Sequence, residues 1–193
     1  MNSDVSHKSR RDAIRDLHRQ GPGLKACVLE DARITAAHRG ERSEFRSTPD
    51  AAIQILRLCS DSDAFLAHLL YRLRSRLIAG GVPVVPKLLH RVSMILSQVS
   101  IGDPVVMEPG VYIVHGQVVI DGLTVVRSGA VIAPWVTIGL KAGNLNGPTI
   151  GRGAALGTGS KVIGQVTVGD GATVGANAVV VADVAPGDTV AGT

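Results

Sequence analysis

Residues 150–184, which decide the fold, read IGRGAALGTGSKVIGQVTVGDGATVGANAVVVADV. An aliphatic residue returns at every sixth position, at Ile150, Leu156, Val162, Val168, Val174 and Val180. A small or medium residue stands four places after each, at Ala154, Ser160, Val166, Ala172, Ala178 and Val184. A period of six matches neither the 3.6-residue period of a helix nor the two-residue period of an ordinary strand. It predicts a parallel β-helix in which each six-residue unit forms one short strand and one corner of a triangular prism.

The repeat continues upstream with two irregularities. A second series keeps the step of six, at Ile101, Met107, Ile113, Val119 and Val125. Val126 instead shares the register of the later aliphatic residues, which predicts a slip of one residue between Val125 and Ile132, at a bulge or a corner. The stretch 139–148 lacks the aliphatic residue expected at position 144, and we expect it to leave the prism wall as a loop that carries function. The other interpretation is a polar corner with no role.

Size and composition fit one domain with a small appendage. The chain has 193 residues, of which 3% are aromatic and 23 are glycine, as expected where thin walls replace a bulky core. Before residue 100 the apolar spacing is helical, with chain breaks at Gly and Pro residues. We therefore expect a mainly β protein, with an α-helical region over residues 1–99 and a β-helix over residues 100–193.

Start signals divide the helical region into segments. Thr48 is predicted to cap a helix that begins at Pro49, and Ser62 to open the next one. Pro86 is predicted to open the last helix, with apolar residues that should face inward at Leu88, Val92, Ile95 and Leu96. Residues 24–47 carry a mixed polar pattern that predicts no element. The helices should form a cap on the first coil of the β-helix.

Charge and cysteine usage indicate a cytoplasmic protein. The net charge of +4 comes partly from an N-terminal basic cluster at Lys8, Arg10, Arg11, Arg15 and Arg19. We interpret this cluster as a solvated helix face, so no nucleic-acid partner is expected. Cys27 and Cys59 match no metal or redox spacing and are expected to be buried thiols in a reducing compartment. No stretch is long enough for a membrane span, and no signal-peptide pattern opens the chain.

Three segments resemble a known family. They are VPVVPKLLHR at 82–91, VSIGDPVVMEPGVYIVHGQVVIDG at 99–122 and GPTIGRGAALGTGSKVIGQVTVGDGATVGANAVVVADV at 147–184. Together they resemble the serine acetyltransferase branch of the hexapeptide-repeat acyltransferases. The resemblance implies a left-handed coil, acetyl-CoA as co-substrate with no permanently bound cofactor, and a small hydroxyl compound as acceptor. It also implies a homotrimer, or a dimer of trimers, with the active site in the groove between subunits.

The resemblance assigns the general base to His115, which stands seven residues before Gly122. It is the only histidine after residue 99. Acetyl transfer to an oxygen needs a base that takes the hydroxyl proton, and a neutral imidazole suits this task at cytosolic pH. The other interpretation is a histidine that only lines the subunit groove.

Several positions depart from the family pattern. The family has an aspartate immediately before the histidine and another fifteen residues before it, where this chain has Val114 and Ser100. It also has an Arg-His pair in the extended loop, where this chain has Asn146 and Gly147. A missing acidic partner leaves the imidazole less well oriented. The sequence offers three substitutes that depend on the fold: Asp103, Glu108 and Asp121.

The resemblance places the pantetheine arm of coenzyme A along small residues of consecutive coils. Gly157 and Thr158 align with such a segment, and Lys161 is a candidate contact to a phosphate, although it could equally be a solvated lysine. Ala142 and Gly143 in the loop are further candidates. No metal ligand is assigned.

Three functions remain open. The first is an acetyl-CoA-dependent O-acetyltransferase that acts on serine or on a sugar or polysaccharide precursor. The second is a metalloenzyme of the carbonic anhydrase kind, which needs three histidines around zinc and is disfavoured by the single histidine of the prism. The third is a non-catalytic trimeric scaffold, for which His115→Ala would leave every measurable function intact.

Overall fold

The computed structural model describes residues 12–192. Residues 12–19 are helical (α1), and four further helices follow: α2 (Leu24–His38), α3 (Thr48–Asp61), α4 (Asp63–Ala79) and α5 (Val85–Ser97). Fourteen short strands make up the rest: β1 (Val99–Ile101), β2 (Val106–Met107), β3 (Tyr112–Ile113), β4 (Val118–Ile120), β5 (Leu123–Val126), β6 (Val131–Ile132), β7 (Thr137–Gly139), β8 (Asn146–Ile150), β9 (Ala155–Leu156), β10 (Lys161–Ile163), β11 (Thr167–Val168), β12 (Thr173–Val174), β13 (Val179–Val180) and β14 (Thr189–Val190).

The strands form three parallel sheets, and each sheet is one side of a prism. Their orders are β1-β4-β7-β10-β13, β2-β5-β8-β11 and β3-β6-β9-β12-β14. Every pairing except that of β12 with β14 joins a strand to the third strand after it, so the chain winds through all three sides once per coil. In the last coil, an isolated bridge at Val184 stands where the intervening strand would be, so β14 is the second strand after β12. The core of the prism is aliphatic and includes the whole predicted series from Ile150 to Val180, and the small residues four places later are buried with it. The predicted parallel β-helix, preceded by an α-helical region, is confirmed.

The slip in register lies earlier than the sequence predicts. Ile113 pairs with Ile132, nineteen positions on, whereas Ile120 pairs with Ile138, eighteen positions on. The additional residue therefore falls between Ile113 and Ile120, in the turn that carries His115. Val119 is exposed and Val125 is half-buried, whereas the next residues, Ile120 and Val126, are fully buried, so the assignment of Val119 and Val125 to the inward series is wrong. The prediction failed because aliphatic residues occupy both faces of this wall, and six-residue spacing alone does not separate them.

The loop and the last coil account for the other changes in coil length. Val126 pairs with Ile150, twenty-four positions on, so the segment between β7 and β8 holds six residues more than a regular unit. Residues 141–146 of this segment are exposed. Val168 bridges to Val184, only sixteen positions on, which shortens the last coil. The intervening coils keep the eighteen-residue step.

Helix α4 supplies the buried apolar contact between the helical region and the first coil. Ala64, Ala67 and Tyr71 belong to the same buried cluster as the aliphatic residues of the prism. Helix α5 does not follow its prediction, since the four residues expected to face inward are exposed, namely Leu88, Val92, Ile95 and Leu96. They point away from the fold and leave an apolar helix face on the surface of the chain. Residues 24–38, for which the sequence predicted no element, form α2.

Helix starts agree with the predictions to within one residue. The cap of α3 is Ser47 rather than Thr48, because the side chain of Ser47 accepts the hydrogen bond from the amide of Asp50. Ser62 caps α4 as predicted and accepts from the amide of Phe65 at 3.2 Å. Asp63 is therefore the first residue of α4, and its position is fixed by this cap.

A buried ion pair joins the helices to the first coil. Arg72 on α4 donates two hydrogen bonds to the carboxylate of Asp31 on α2, at 2.7 and 3.1 Å, and two more to the carbonyl oxygens of Met107 and Glu108. Asp31 in turn accepts from the amide of Gly110 at 2.8 Å. Because both charged groups are almost fully buried, they depend on this complete set of partners.

The N-terminal basic cluster is only partly within the described residues. Lys8, Arg10 and Arg11 lie outside them, whereas Arg15 and Arg19 each lie 3.2 Å from an aspartate on their own helix.

Cys27 is buried and Cys59 is half-buried, both are free thiols, and burial raises the pKa of each. Over residues 12–192, no helix combines the length and apolar character that crossing a membrane requires.

Candidate functional site

His115 lies at the corner between β3 and β4, in the turn that contains the additional residue. Its side chain is 65% exposed and projects from the first coil. The next residue, Gly116, is buried, and a Cβ atom built on it would collide with the carbonyl oxygen of Ser97 at the end of α5. Glycine at this position lets the turn approach the helical region closely, which places His115 where the two regions meet.

The same corner continues upward through the coils. It is marked by residues with left-handed backbone angles: Gln117 (φ 59°), Trp135 (φ 60°), Gly159 (φ 74°) and Asn177 (φ 58°). Backbone hydrogen bonds tie successive levels together, from the Gly159 amide to the Pro134 carbonyl at 2.9 Å and from the Asn177 amide to the Thr158 carbonyl at 2.8 Å. Thr158 and Gly159 therefore stand two coils above the His115 turn, on one continuous edge of the prism.

This edge brings together the predicted base and most of the predicted coenzyme contacts. Gly157 is half-buried and Thr158 is exposed on the edge. Lys161 follows at the start of β10, and its ammonium group donates to the carbonyl oxygens of Gly159 at 2.7 Å and of Trp135 at 2.9 Å. The lysine charge is thus held against the backbone of the corner.

Ala142 and Gly143 lie elsewhere on the chain. They are exposed residues of the loop between β7 and β8, at the corner that follows the β4-β7-β10 side. The base of this loop contacts the same corner one coil below, where the amide of Leu123 donates to the carbonyl of Leu145 at 3.0 Å. Within one chain, the loop and His115 are thus on different corners, separated by the width of one prism side.

The three predicted substitutes for the missing acidic partner are engaged elsewhere. Asp121 accepts a hydrogen bond from the amide of Gly122 at 2.7 Å, Glu108 pairs with Arg152 at 2.9 Å, and Asp103 lies 3.5 Å from Arg74. Within residues 12–192, none of these carboxylates lies within ion-pair distance of His115.

Asp63 is the carboxylate that stands next to His115. Its Oδ1 lies 3.9 Å from Nδ1 of the imidazole, and its Oδ2 accepts a hydrogen bond from the amide of Gly116 at 3.2 Å. Asp63 is not among the site residues predicted from the sequence, although the helix cap at Ser62, the residue before it, is. Nothing in the spacing of α4 and the repeat indicates that Asp63 and His115 meet, because they are fifty-two positions apart.

Two cavities of the described residues lie away from this edge. One of about 330 Å³ is lined by α2, α3 and their connection, and one of about 300 Å³ by α1, the end of α4 and the start of α5. His115 lines neither of them and instead stands on open surface. Over residues 12–192, no cluster of three or more His, Cys, Asp or Glu side chains is arranged to hold a metal ion.

Comparison with protein families gives one match. The family described as bacterial transferase hexapeptide (six repeats) matches residues 147–182, which include β8 to β13 and the predicted coenzyme segment. The chain carries the hexapeptide repeat of bacterial transferases. The match begins after the first coils, so it includes neither His115 nor Asp63.

Individual proteins similar to this chain are serine acetyltransferases. The chain is 33% identical over 103 residues to a serine acetyltransferase of Synechocystis sp., and 34% identical over 105 residues to one of Synechococcus elongatus. These alignments cover 52% of this chain and 41% and 40% of the two relatives, so the matched part spans about two fifths of their length. The resemblance to serine acetyltransferases is confirmed.

Solved structures show the same architecture. A soybean serine acetyltransferase apoenzyme superposes with a TM-score of 0.75 at 26% identity, over 92% of this chain and 70% of that one. A Neisseria gonorrhoeae serine acetyltransferase in complex with serine gives 0.74 at 23% identity, over 88% and 67%. The Entamoeba histolytica serine acetyltransferase 1 gives 0.71 at 22% identity, over 96% and 76%, and these last two likenesses concern the fold. The agreement includes the helical region, since each match covers more of the chain than the β-helix alone.

Proposed function

We propose that this protein is an acetyl-CoA-dependent O-acetyltransferase, in which His115 is the general base and a small hydroxyl compound is the acceptor. One observation carries the proposal: His115 shares a prism edge with Gly157 and Thr158, in a chain that resembles serine acetyltransferases. A base and a groove of small residues on one edge would bring the acceptor hydroxyl and the thioester together.

The chemistry needs one proton acceptor and one open wall. His115 would accept the hydroxyl proton on a ring nitrogen while the acceptor oxygen attacks the thioester carbonyl. Collapse of the tetrahedral intermediate breaks the carbon–sulfur bond, and the imidazolium returns its proton to the departing thiolate. The products are an acetyl ester and coenzyme A. We propose the cytoplasm as the location of this reaction, in line with the free thiols of Cys27 and Cys59.

The coenzyme would lie along the edge above His115. Thr158 and the glycines beside it present little side-chain bulk, so an extended pantetheine arm can approach the backbone there. Lys161 would offer its ammonium group to a phosphate as a point charge while keeping contact with the carbonyl of Gly159. Ala142 and Gly143 would contact the coenzyme only from a neighbouring chain, because they occupy another corner.

A homotrimer would complete this site. The outward face of the side next to His115 carries Val119 and Val179, and the corner carries Trp135, all exposed in the single chain. Packing three such sides around a threefold axis would cover these residues and set the loop of one chain beside the His115 corner of the next. Sedimentation equilibrium should give the mass of three chains, or of six, and Val179→Asp should lower it. A monomer at micromolar concentration would contradict this assembly.

The acceptor is identified by a substrate panel. Thiol release from acetyl-CoA is measured with L-serine, homoserine and several sugars, for the wild type, for His115→Asn and for His38→Asn. His38 is a matched control because it contacts the same coil, stacked on Tyr112 with ring centroids 4.3 Å apart. We expect turnover with one acceptor class, a loss of about a hundredfold or more in kcat for His115→Asn, and little change for His38→Asn.

Serine is first in the panel because a similar structure is described as a serine complex. The sugars follow because Asn146 and Gly147 replace the Arg-His pair that the family has in its loop, which removes a natural clamp for a carboxylate. No turnover with any acceptor, together with no binding of coenzyme A in calorimetry, would overturn the proposal and leave the trimeric scaffold. Equal rates for His115→Asn and the wild type would remove His115 as the base.

A further inference from the structure

The turn of His115 meets one carboxylate, and that carboxylate comes from the helical region. We propose that Asp63, at the start of α4, is the positioning residue that orients the imidazole of His115. The catalytic role of Asp63 rests on the proposed function, whereas its contact with His115 does not depend on catalysis. It gives the helical region a part in the site, in addition to its packing on the first coil.

The geometry of the pair supports this assignment. Asp63 Oδ1 lies 3.9 Å from His115 Nδ1, and this is the ring nitrogen adjacent to the backbone. Orientation of the base through Nδ1 would leave Nε2 to take the hydroxyl proton. The separation exceeds a hydrogen bond, but catalytic hydrogen bonds are often long without substrate and tighten in the substrate complex. Both side chains are partly exposed, at 65% and 43%, so a small rotation can close the gap.

The carboxylate is held in place from two directions. Its Oδ1 accepts a hydrogen bond from the amide of Ala64 at 2.8 Å, and its Oδ2 accepts one from the amide of Gly116 at 3.2 Å. The positive end of the α4 dipole further favours a negative charge at this first helical position. Asp63 therefore contacts the backbone of the His115 turn and the side chain of His115 at the same time.

The amide contact requires the glycine. A Cβ atom on residue 116 would lie 3.0 Å from Asp63 Oδ2 and would collide with the carbonyl oxygen of Ser97. The turn could not then approach α4 as closely as it does. The additional residue of the first coil and Gly116 thus have one common effect, which is to bring the imidazole to the carboxylate.

A carboxylate at Nδ1 performs two tasks for a histidine base. It fixes the tautomer that has its proton on Nδ1, and it stabilises the imidazolium that forms when the base accepts a proton. Val114 and Ser100 provide no such group in this chain, and the acidic residues of the first coil have other partners. Asp63 supplies the missing charge from a different element.

The first test measures the tautomer and needs no activity. Nitrogen-15 chemical shifts of the His115 ring are recorded at a pH where imidazole is neutral, for the wild type, Asp63→Asn and Asp61→Asn. Asp61 is the matched control, since it is two residues away, similarly exposed at 41%, and paired with Arg57. We expect the Nδ1–H tautomer to be enriched in the wild type and in Asp61→Asn, and the Nε2–H tautomer to dominate in Asp63→Asn. The same tautomer ratio in all three proteins would overturn the proposal.

The second test measures turnover. Asp63→Asn should lower kcat by about tenfold while the KM for acetyl-CoA stays unchanged, because a half-exposed carboxylate acts through orientation and not through binding. Asp63→Glu should recover part of kcat, and Asp61→Asn should match the wild type. A rise in KM without a fall in kcat would overturn the positioning role. A tautomer change in a protein that turns over no acceptor would keep the His115–Asp63 contact and reject the proposed function.

Discussion

The upper coils and the junction with the helices are built in opposite ways. Between Ile150 and Val180 the chain repeats one eighteen-residue coil, and stacked aliphatic side chains fill the interior. At the junction, by contrast, an additional residue, a buried ion pair and a close glycine contact occur within one coil. The regular part distributes its stability over many similar contacts. The irregular part depends on a few groups, and it also carries the predicted base.

The largest effect should come from the buried ion pair. Arg72→Met would leave the Asp31 carboxylate buried without its partner, and we expect a loss of about 4 kcal/mol in the free energy of unfolding. Arg152→Met is the matched control, because it removes an exposed arginine from its pair with Glu108 and should cost about 1 kcal/mol or less. Urea unfolding measures both. Similar losses for the two variants would mean that the junction has no special dependence on its buried charges.

A second effect is pH-dependent. Burial lowers the pKa of His68 to about 4, with a smaller contribution from the positive charge of Arg72, although the negative charge of Asp31 raises it. Because the unfolded chain then binds more protons than the folded one, stability should fall as the pH drops from about 6.5 to about 4, by about 3 kcal/mol from this group. His68→Gln should remove this part of the pH dependence. Parallel curves of unfolding free energy against pH for the two proteins would contradict the prediction.

The close glycine contact gives a smaller effect on stability and a larger one on activity. Gly116→Ala must displace the His115 turn from Ser97 and Asp63, and we expect a loss of about 2 kcal/mol together with a fall in kcat. Gly139→Ala is the control, since a Cβ atom there meets only ordinary contacts at 3.7 Å. Urea unfolding and thiol release are measured on the same samples. A Gly116→Ala protein with wild-type kcat would show that the position of this turn has no effect on the site.

The smallest effects should be found in the interior of the prism. Ile138→Val and Ile150→Val each remove one methylene from a fully buried side chain, and each should cost about 1 kcal/mol. Equal values at the two positions, measured by urea unfolding, would support distributed stability. A loss several times larger at either position would place a local anchor in the interior of the prism and weaken the contrast with the junction.

The sequence predicted the regular part well for a physical reason. Stacked coils require an inward aliphatic residue at each level, so the spacing from Ile150 to Val180 is a direct consequence of the fold. The same rule failed at Val119, because an outward valine on an exposed wall looks identical to an inward one. A separate assumption, that the apolar face of a helix packs inward, failed on α5, whose apolar residues are exposed on the chain.

The site was predictable only in part. His115 was found from its resemblance to a family position, and its role as the base stays a prediction. The acidic substitutes named from the sequence, Asp103, Glu108 and Asp121, were neighbours along the chain, whereas Asp63 reaches the histidine through the packing of α4 on the first coil. Such a meeting depends on tertiary structure, and no local spacing encodes it.

The central claim is that the coil and the helical region make one site. A double-mutant cycle in kcat tests it most directly, with His115→Asn, Asp63→Asn and the double variant assayed with the acceptor that the panel identifies. If Asp63 acts through His115, the double variant should be no slower than His115→Asn alone. A double variant that is slower by the full factor seen for Asp63→Asn alone would show that the two residues act independently, and would contradict the account.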